Sequence, residues 1–120
     1  EATSEKQAFG QFVDGRVTGV VGTHTHTPTA DQRILAGGTA YMSDAGMCGD
    51  YESVLGMDIE EPLNRFLTRI PRTRFEAATG PATLSGLCVD IDDRTGLATA
   101  TTALRLGGLL KPTEPLSWVE

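Results

Sequence analysis

No apolar run in this chain approaches the roughly 18 residues of a membrane-spanning helix, so neither a span nor a membrane partner is expected. Cysteine is scarce. Cys48 and Cys88 are the only two, and no Cys-x-x-Cys spacing joins them; this argues against a disulfide framework and suits two free thiols in a reducing cytoplasm. Positive charge is also short, with 10 Lys and Arg against 16 Asp and Glu and a net charge of −6. That balance argues against extended nucleic-acid binding, which neutralises many phosphates with basic side chains. A small phosphate ester remains compatible, because metal cations would neutralise it locally. The chain carries no signal-peptide pattern, no initiator methionine, no internal repeat and no low-complexity linker. The 120 residues of the chain, 39% hydrophobic and 22% charged, are one domain's worth of ordinary globular sequence.

Local signals divide the chain into elements. Thr3 or Ser4 is placed to cap a first helix, with Gln7 at capping-box spacing from Ser4; Ala8, Phe9, Phe12 and Val13 form its apolar stripe before Asp14-Gly15 ends it. Val17 to Val21 reads as a buried central strand. Residues 33–35 and 39–42 flank Ala36-Gly37-Gly38 as a hairpin, and a glycine-rich loop follows from Asp44 to Gly56. Asp58 is expected to cap a second helix through Thr68, with Ile59, Leu63, Phe66 and Leu67 facing inward and Pro62 tolerated in the first turn. Three strands follow at 73–77, 83–92 and 97–106, the last two joined by the acidic turn Asp92-Asp93-Arg94-Thr95-Gly96. From Gly107 the Gly, Pro and Ser content predicts a poorly ordered tail.

Both histidines stand in Gly22-Thr23-His24-Thr25-His26-Thr27-Pro28, directly after the Val17–Val21 run. Neutral imidazole is a good ligand for zinc, iron, manganese or copper, and a parallel strand would deliver both rings to the carboxyl edge of a sheet, where α/β proteins build sites. On His-x-His alone, two solvated histidines in a threonine-rich loop are as good a reading, because ligation needs further donors.

The surroundings weight the metal reading. Asp14-Gly15-Arg16-Val17 followed by Val20-Val21-Gly22-Thr23-His24-Thr25-His26 resembles the last metal-binding motif, Gly-x-His-x-His, of the calcineurin-like metallophosphoesterases. Glu1 to Lys6, Thr29-Ala30-Asp31, Gly37 to Tyr41, Asp44 to Met47 and Gly56-Met57-Asp58 are similar to the YmdB-type subgroup, bacterial phosphodiesterases associated with cyclic nucleotides such as 2',3'-cyclic AMP. These motifs cover residues 1 to 58 in order; beyond them Arg65-Phe66-Leu67-Thr68 and Arg74-Phe75-Glu76 carry a looser match.

The resemblance implies an α/β fold, the carboxyl-terminal part of a layered α/β/β/α metallophosphoesterase sandwich. Residues 1–106 would be the carboxyl-terminal half of a single domain and 107–120 its tail. It implies two divalent metal ions, iron or manganese, with His24 bound to one and His26 to the other. Such ions sit close together, acidify a water and clamp phosphoryl oxygens. The remaining ligands and the general-acid histidine belong to an amino-terminal half, so no catalytic residue is expected here and the chain alone is expected to be inactive. Thr23, Thr25 and Asp44 are the groups that would orient the imidazoles by hydrogen bonds, Asp44 being equally readable as a loop cap before Gly46. The substrate is a small phosphodiester, and the oligomeric state, a homo-oligomer included, is left open.

Two alternatives compete. In a cupin-like single-metal protein Asp31 and Gly38 would complete the motif begun by His24 and His26, but no further histidine lies downstream and the preceding helix and strand do not suit a barrel. A metal-free interaction module is the other. Among the remaining candidates, Arg65, Arg69, Arg72 and Arg74 are better read as the basic end of a helix than as substrate ligands. Tyr41 and Met47 are better read as core than as nucleobase contacts, and Cys48 as an inert small residue.

Overall fold

A computed structural model describes residues 2–119. The order of elements is helix α1 (Thr3–Val13), strands β1 (Gly19–Val21), β2 (Arg33–Ile34) and β3 (Ala40–Met42), helix α2 (Glu60–Thr68), strands β4 (Leu84–Ile91) and β5 (Ala98–Leu106), and a 3-10 turn at Leu116–Trp118. One sheet has the order β1-β3-β2, with β1 parallel and β2 antiparallel to β3. The other is the antiparallel β4-β5 ladder. The mixed α/β class is the expected one.

The core is the run Thr39 to Asp44, in which no residue is more than 4% exposed. Its apolar members Ala40, Tyr41 and Met42 make up the buried apolar set together with Leu35 and with Ala98 and Ala103 of β5. Helix α1 approaches this run through a glycine. A Cβ on Gly10 would lie 2.7 Å from the Tyr41 ring, so only glycine lets the helix rest on that ring. Asp14, just past the helix, accepts the Gly37 N–H at 2.7 Å and the Thr39 N–H at 3.2 Å, which fixes the turn leading into β3. The Thr18 hydroxyl donates to the Gly96 carbonyl at 2.6 Å and ties the β4-β5 turn to the start of β1.

Several expectations are corrected. The N-cap of α1 is Ala2, neither Thr3 nor Ser4, and the Glu5 carboxylate reaches back to the Ala2 N–H at 3.4 Å. Alanine has no side-chain oxygen to reciprocate, so half of a capping box is present. The apolar stripe of α1 faces outward, with Phe9 56% and Phe12 72% exposed, because the close helix–sheet contact is made through Gly10. The Val17–Val21 strand is shorter than expected, Gly19–Val21, and among the described residues it stands at the edge of its sheet, paired to β3 alone. Residues 73–77 form no strand; one bridge, Met57 to Ala77, is all their ladder. The region after β5 turns back, with Arg105 and Thr113 exchanging both backbone hydrogen bonds at 2.8 and 2.9 Å.

Helix α2 differs most. Its N-cap is Ile59, not Asp58, and its buried residues are Glu61 and Asn64. Leu63, Phe66 and Leu67, expected inward, are 48%, 83% and 69% exposed. The packed side is polar because Glu61 is a hub for the segment that follows the helix: its carboxylate accepts from Arg65 Nε at 3.0 Å and from the Arg72 N–H at 2.8 Å. Asn64 Nδ2 donates to the Ile70 carbonyl at 2.9 Å, and the Arg65 guanidinium stacks over the Phe75 ring at 4.1 Å.

The Arg72 N–H, the Arg65 side chain and the Thr73 N–H outweigh burial and hold the Glu61 carboxyl down at about 2, against an ordinary 4.5. A depressed folded pKa makes the ionised form stabilising: its contribution is complete above about 4.5 and is lost as the pH falls toward about 2. The protection of the Arg72 amide against hydrogen exchange, relative to an unstructured amide at the same pH, should therefore fall across that acid window. Glu61→Gln should flatten the response, and an unchanged acid profile in that variant would contradict this account.

Candidate metal-ligand loop

The loop that carries the histidines begins where β1 ends. Gly22 donates to the Met42 carbonyl at 2.9 Å and accepts the Ala45 N–H at 2.9 Å, so it continues the parallel register with β3 for one more residue. Any Cβ there would collide with the Ser43 carbonyl, and glycine is obligatory. The chain then turns away from the sheet and exposes Thr23 to Thr27 at its carboxyl edge.

Both histidines hold backbone conformations that L residues rarely adopt, with φ of +118° at His24 and +69° at His26. Each such residue costs on the order of 1–3 kcal/mol and persists only where its surroundings over-determine it. The surroundings do so here from four directions. Lys6 Nζ on α1 donates to the Thr23 carbonyl at 2.6 Å. The Asp44 carboxylate accepts both the N–H and the hydroxyl of Thr25 at 2.7 Å. The Met47 N–H donates to the His26 carbonyl at 3.0 Å. The Tyr51 hydroxyl, which accepts the Met47 N–H at 2.9 Å, lies 3.3 Å from the same carbonyl. Each residue from Thr23 to His26 is therefore either gripped directly or flanked by one that is.

Asp44 is the centre of this grip. It is 1% exposed, accepts the Gly46 N–H at 2.8 Å through its second oxygen and lies 3.8 Å from Lys6 Nζ. Burial pushes its carboxyl up, but the Gly46 and Thr25 donors and the Lys6 charge outweigh that cost and leave it below the ordinary carboxylate value. The carboxylate acts on the backbone of Thr25 between the histidines and caps Gly46; its hydrogen bonds go to these groups and not to an imidazole. The Thr25 hydroxyl is committed to Asp44 and to the Thr27 carbonyl, and Thr23 enters through its carbonyl. Lys6 and Tyr51 were not anticipated. The Lys6 partner is a carbonyl 17 residues away, and the Tyr51 hydroxyl meets the Met47 carbonyl at 2.9 Å as well as the His26 carbonyl 25 residues away, which no local pattern signals.

A groove of about 510 Å³ lies beside the loop, between α1 and β1, lined by Lys6, Phe9, Val20, Val21, Thr23 and His24. Among the described residues no group of three or more His, Cys, Asp or Glu gathers to hold a metal ion. Asp31, the extra ligand of the cupin-like reading, is instead spent on the Ser43 hydroxyl, the Ser43 N–H and the Thr29 hydroxyl. Tyr41 is 1% exposed with its hydroxyl 3.1 Å from Ser43 Oγ, which is a core role. In the arginine cluster, Arg65 bonds Glu61 and stacks on Phe75, and the Arg69 N–H closes the last turn of α2 on the Arg65 carbonyl. Cys48 and Cys88 are free thiols, and burial followed by the Asp90 charge pushes Cys88 up.

A mixed α/β chain presenting two imidazoles on a strained loop at the carboxyl edge of a parallel strand pair belongs to a recognisable class. The sequence pattern described as "YmdB-like protein" matches residues 1–104, and the chain belongs to that family. It is similar to a 2',3'-cyclic-nucleotide 2'-phosphodiesterase of Bacillus subtilis (strain 168), 58% identical over 95 residues, which are 79% of this chain and 36% of that protein. The fold superposes on a hypothetical protein from Thermus thermophilus with a TM-score of 0.81 at 40% identity, over 91% of this chain and 42% of that one. It also superposes on a structure described as a novel phosphatase of Mycoplasma pneumoniae with a TM-score of 0.79 at 38% identity, over 99% and 41%. The chain thus spans little more than a third of the length of the curated relatives it matches. The α/β layers described here correspond to part of a phosphatase fold.

Removing the Asp44 carboxylate should release the loop. Asp44→Ala leaves the Thr25 and Gly46 N–H groups without their acceptor, at about 1–3 kcal/mol each. Amide exchange at both should then rise by at least about tenfold, since ~1.4 kcal/mol corresponds to a factor of ten, while the amides of β4 and β5 stay protected. Equal acceleration throughout the chain would show that Asp44 supports the whole fold instead of this loop.

Proposed function

We propose that this chain supplies part of the active site of a metal-dependent phosphodiesterase acting on small phosphodiesters such as 2',3'-cyclic nucleotides. The observation that carries the reading is the pair of strained histidines, His24 and His26, held by Lys6, Asp44 and Tyr51 at the carboxyl edge of β1. Positive φ costs free energy at both positions, and strain of this kind is retained where it places side chains for use. The similarity to a named cyclic-nucleotide phosphodiesterase supports the same assignment.

The donor chemistry fits a first-row divalent ion, because neutral imidazole binds iron, manganese and zinc. Two imidazoles are at most half of a ligand set; as the family resemblance implies, His24 would serve one ion and His26 a second, iron or manganese, with further donors and the general acid drawn from the part of the relatives' length outside this chain. Divalent ions in such a site neutralise phosphoryl charge and lower the pKa of water toward neutrality. The residues seen here have narrower tasks. His24 and His26 donate ring nitrogens, and Lys6 and Asp44 fix the backbone that aims them. Thr23 and Thr25 act through the loop backbone and the Asp44 contact. Residues 1–106 are read as the carboxyl-terminal half of one catalytic domain and 107–120 as its tail, in a protein of the reducing cytoplasm.

In the complete gene product, His24→Ala or His26→Ala should lower Mn²⁺-dependent hydrolysis of bis(p-nitrophenyl) phosphate by at least about a hundredfold, the order typical of losing a group that stabilises transition-state charge. The melting temperature should change little, because both side chains are exposed. Near-normal turnover in either variant would overturn the reading.

The 120-residue chain alone should bind Mn²⁺ or Zn²⁺ only weakly in a calorimetric titration and leave 2',3'-cyclic AMP intact. Tight binding of two ions would show that the chain holds a fuller ligand set than the two imidazoles.

A further inference from the structure

The two histidines are supported from different parts of the fold. At the start of the loop Lys6 on α1 reaches the Thr23 carbonyl, and Asp44 holds Thr25 in the middle. The His26 end is held by residues 46–51 of the glycine-rich loop. There the Met47 N–H donates to the His26 carbonyl at 3.0 Å, and the Tyr51 hydroxyl lies 2.9 Å from that nitrogen and 3.3 Å from that carbonyl oxygen. Gly46 fits the two segments together. Its φ is +85°, and a Cβ on it would lie 2.8 Å from both Pro28 Cδ and the Tyr51 hydroxyl, so the backbone that leaves His26 packs against Gly46 with no room for a side chain.

The holding segment is itself fastened to β4 and the residues that enter it. Gly49 and Thr83 exchange both backbone hydrogen bonds at 3.0 and 2.8 Å, and Cys48 Sγ accepts the Ser85 N–H at 3.4 Å. Tyr51 completes the link, because its hydroxyl also lies 3.3 Å from Ser85 Oγ and 2.9 Å from the Met47 carbonyl. One phenolic oxygen therefore joins the His26 carbonyl, the Met47 backbone and β4. None of these contacts extends to Thr23 or Lys6. A backbone held at a positive φ of +69° needs such over-determination, and at His26 the groups that supply it differ from those at His24.

We propose that Tyr51 is a positioning residue for His26 alone: by fixing the His26 carbonyl against β4 it sets the direction of that imidazole, and with it the affinity of the one ion that His26 serves. This rests on the reading above that each histidine serves its own ion. The ion of His24 does not depend on Tyr51.

Calorimetric titration of the metal-stripped complete gene product with Mn²⁺ tests this. The wild type should bind two ions, His26→Ala should lose one binding event and His24→Ala the other. Tyr51→Phe keeps the ring and removes only the hydroxyl; it should weaken the His26 event at least about tenfold, the order typical of losing a group that orients a ligating histidine, and leave the other within about twofold. Combined with His26→Ala, it should have no further effect on the remaining ion. Equal weakening of both ions, or further weakening in the His26→Ala background, would show that Tyr51 supports the fold at large and would overturn the proposal. A Tyr51→Phe protein that titrates as the wild type, beside a His26→Ala protein that loses an ion, would overturn it too and leave the two-ion reading standing. Loss of no ion in His26→Ala would overturn that reading, and the proposal with it.

Discussion

The parallel pairing of β1 with β3 is the constraint on which the rest depends. It places Gly22 against the backbone of Met42 and Ser43, and so brings the histidine loop within reach of Asp44, the residue that follows the strand register out of the sheet. One buried strand therefore does two jobs. Its apolar residues form the core between α1 and β5, and its polar end holds the loop that the strand beside it has just delivered.

Burial and polarity are divided unusually in this chain. The buried set includes Thr39, Ser43, Asp44, Asp50, Glu61, Asn64 and Thr83, while Phe9, Phe12, Phe66 and Leu67 are exposed. These buried polar groups are engaged: Asp50, for example, accepts the Glu52 N–H at 2.8 Å and the Gly80 N–H at 2.9 Å and so joins the glycine-rich loop to the segment entering β4. Irregular backbone is long between β3 and β4, and its N–H groups need acceptors that no ladder provides. Carboxylates and hydroxyls supply them, which draws polar side chains inward and leaves apolar ones outside.

That division explains which sequence signals were reliable. The β2-β3 hairpin and the β4-β5 ladder were legible because alternation and turn glycines report on backbone pairing between neighbours in the chain. The facing of both helices was not. An apolar stripe shows where the apolar residues of a helix lie, and the side that packs depends on what is offered to it: a tyrosine ring wanting a glycine at α1, and unpaired N–H groups wanting a carboxylate at α2.

The sequence by itself determined the two imidazoles, their spacing, their position after an apolar strand and the glycine that turns the chain toward them, because each of these is a property of adjacent residues. Only the tertiary structure decided that both histidines sit at positive φ, that Lys6, Asp44 and Tyr51 hold them there, and that Asp44 does so through Thr25. Those contacts join residues separated by 17 to 25 positions and are made through backbone atoms, which every residue possesses and which therefore leave no mark in the order of side chains.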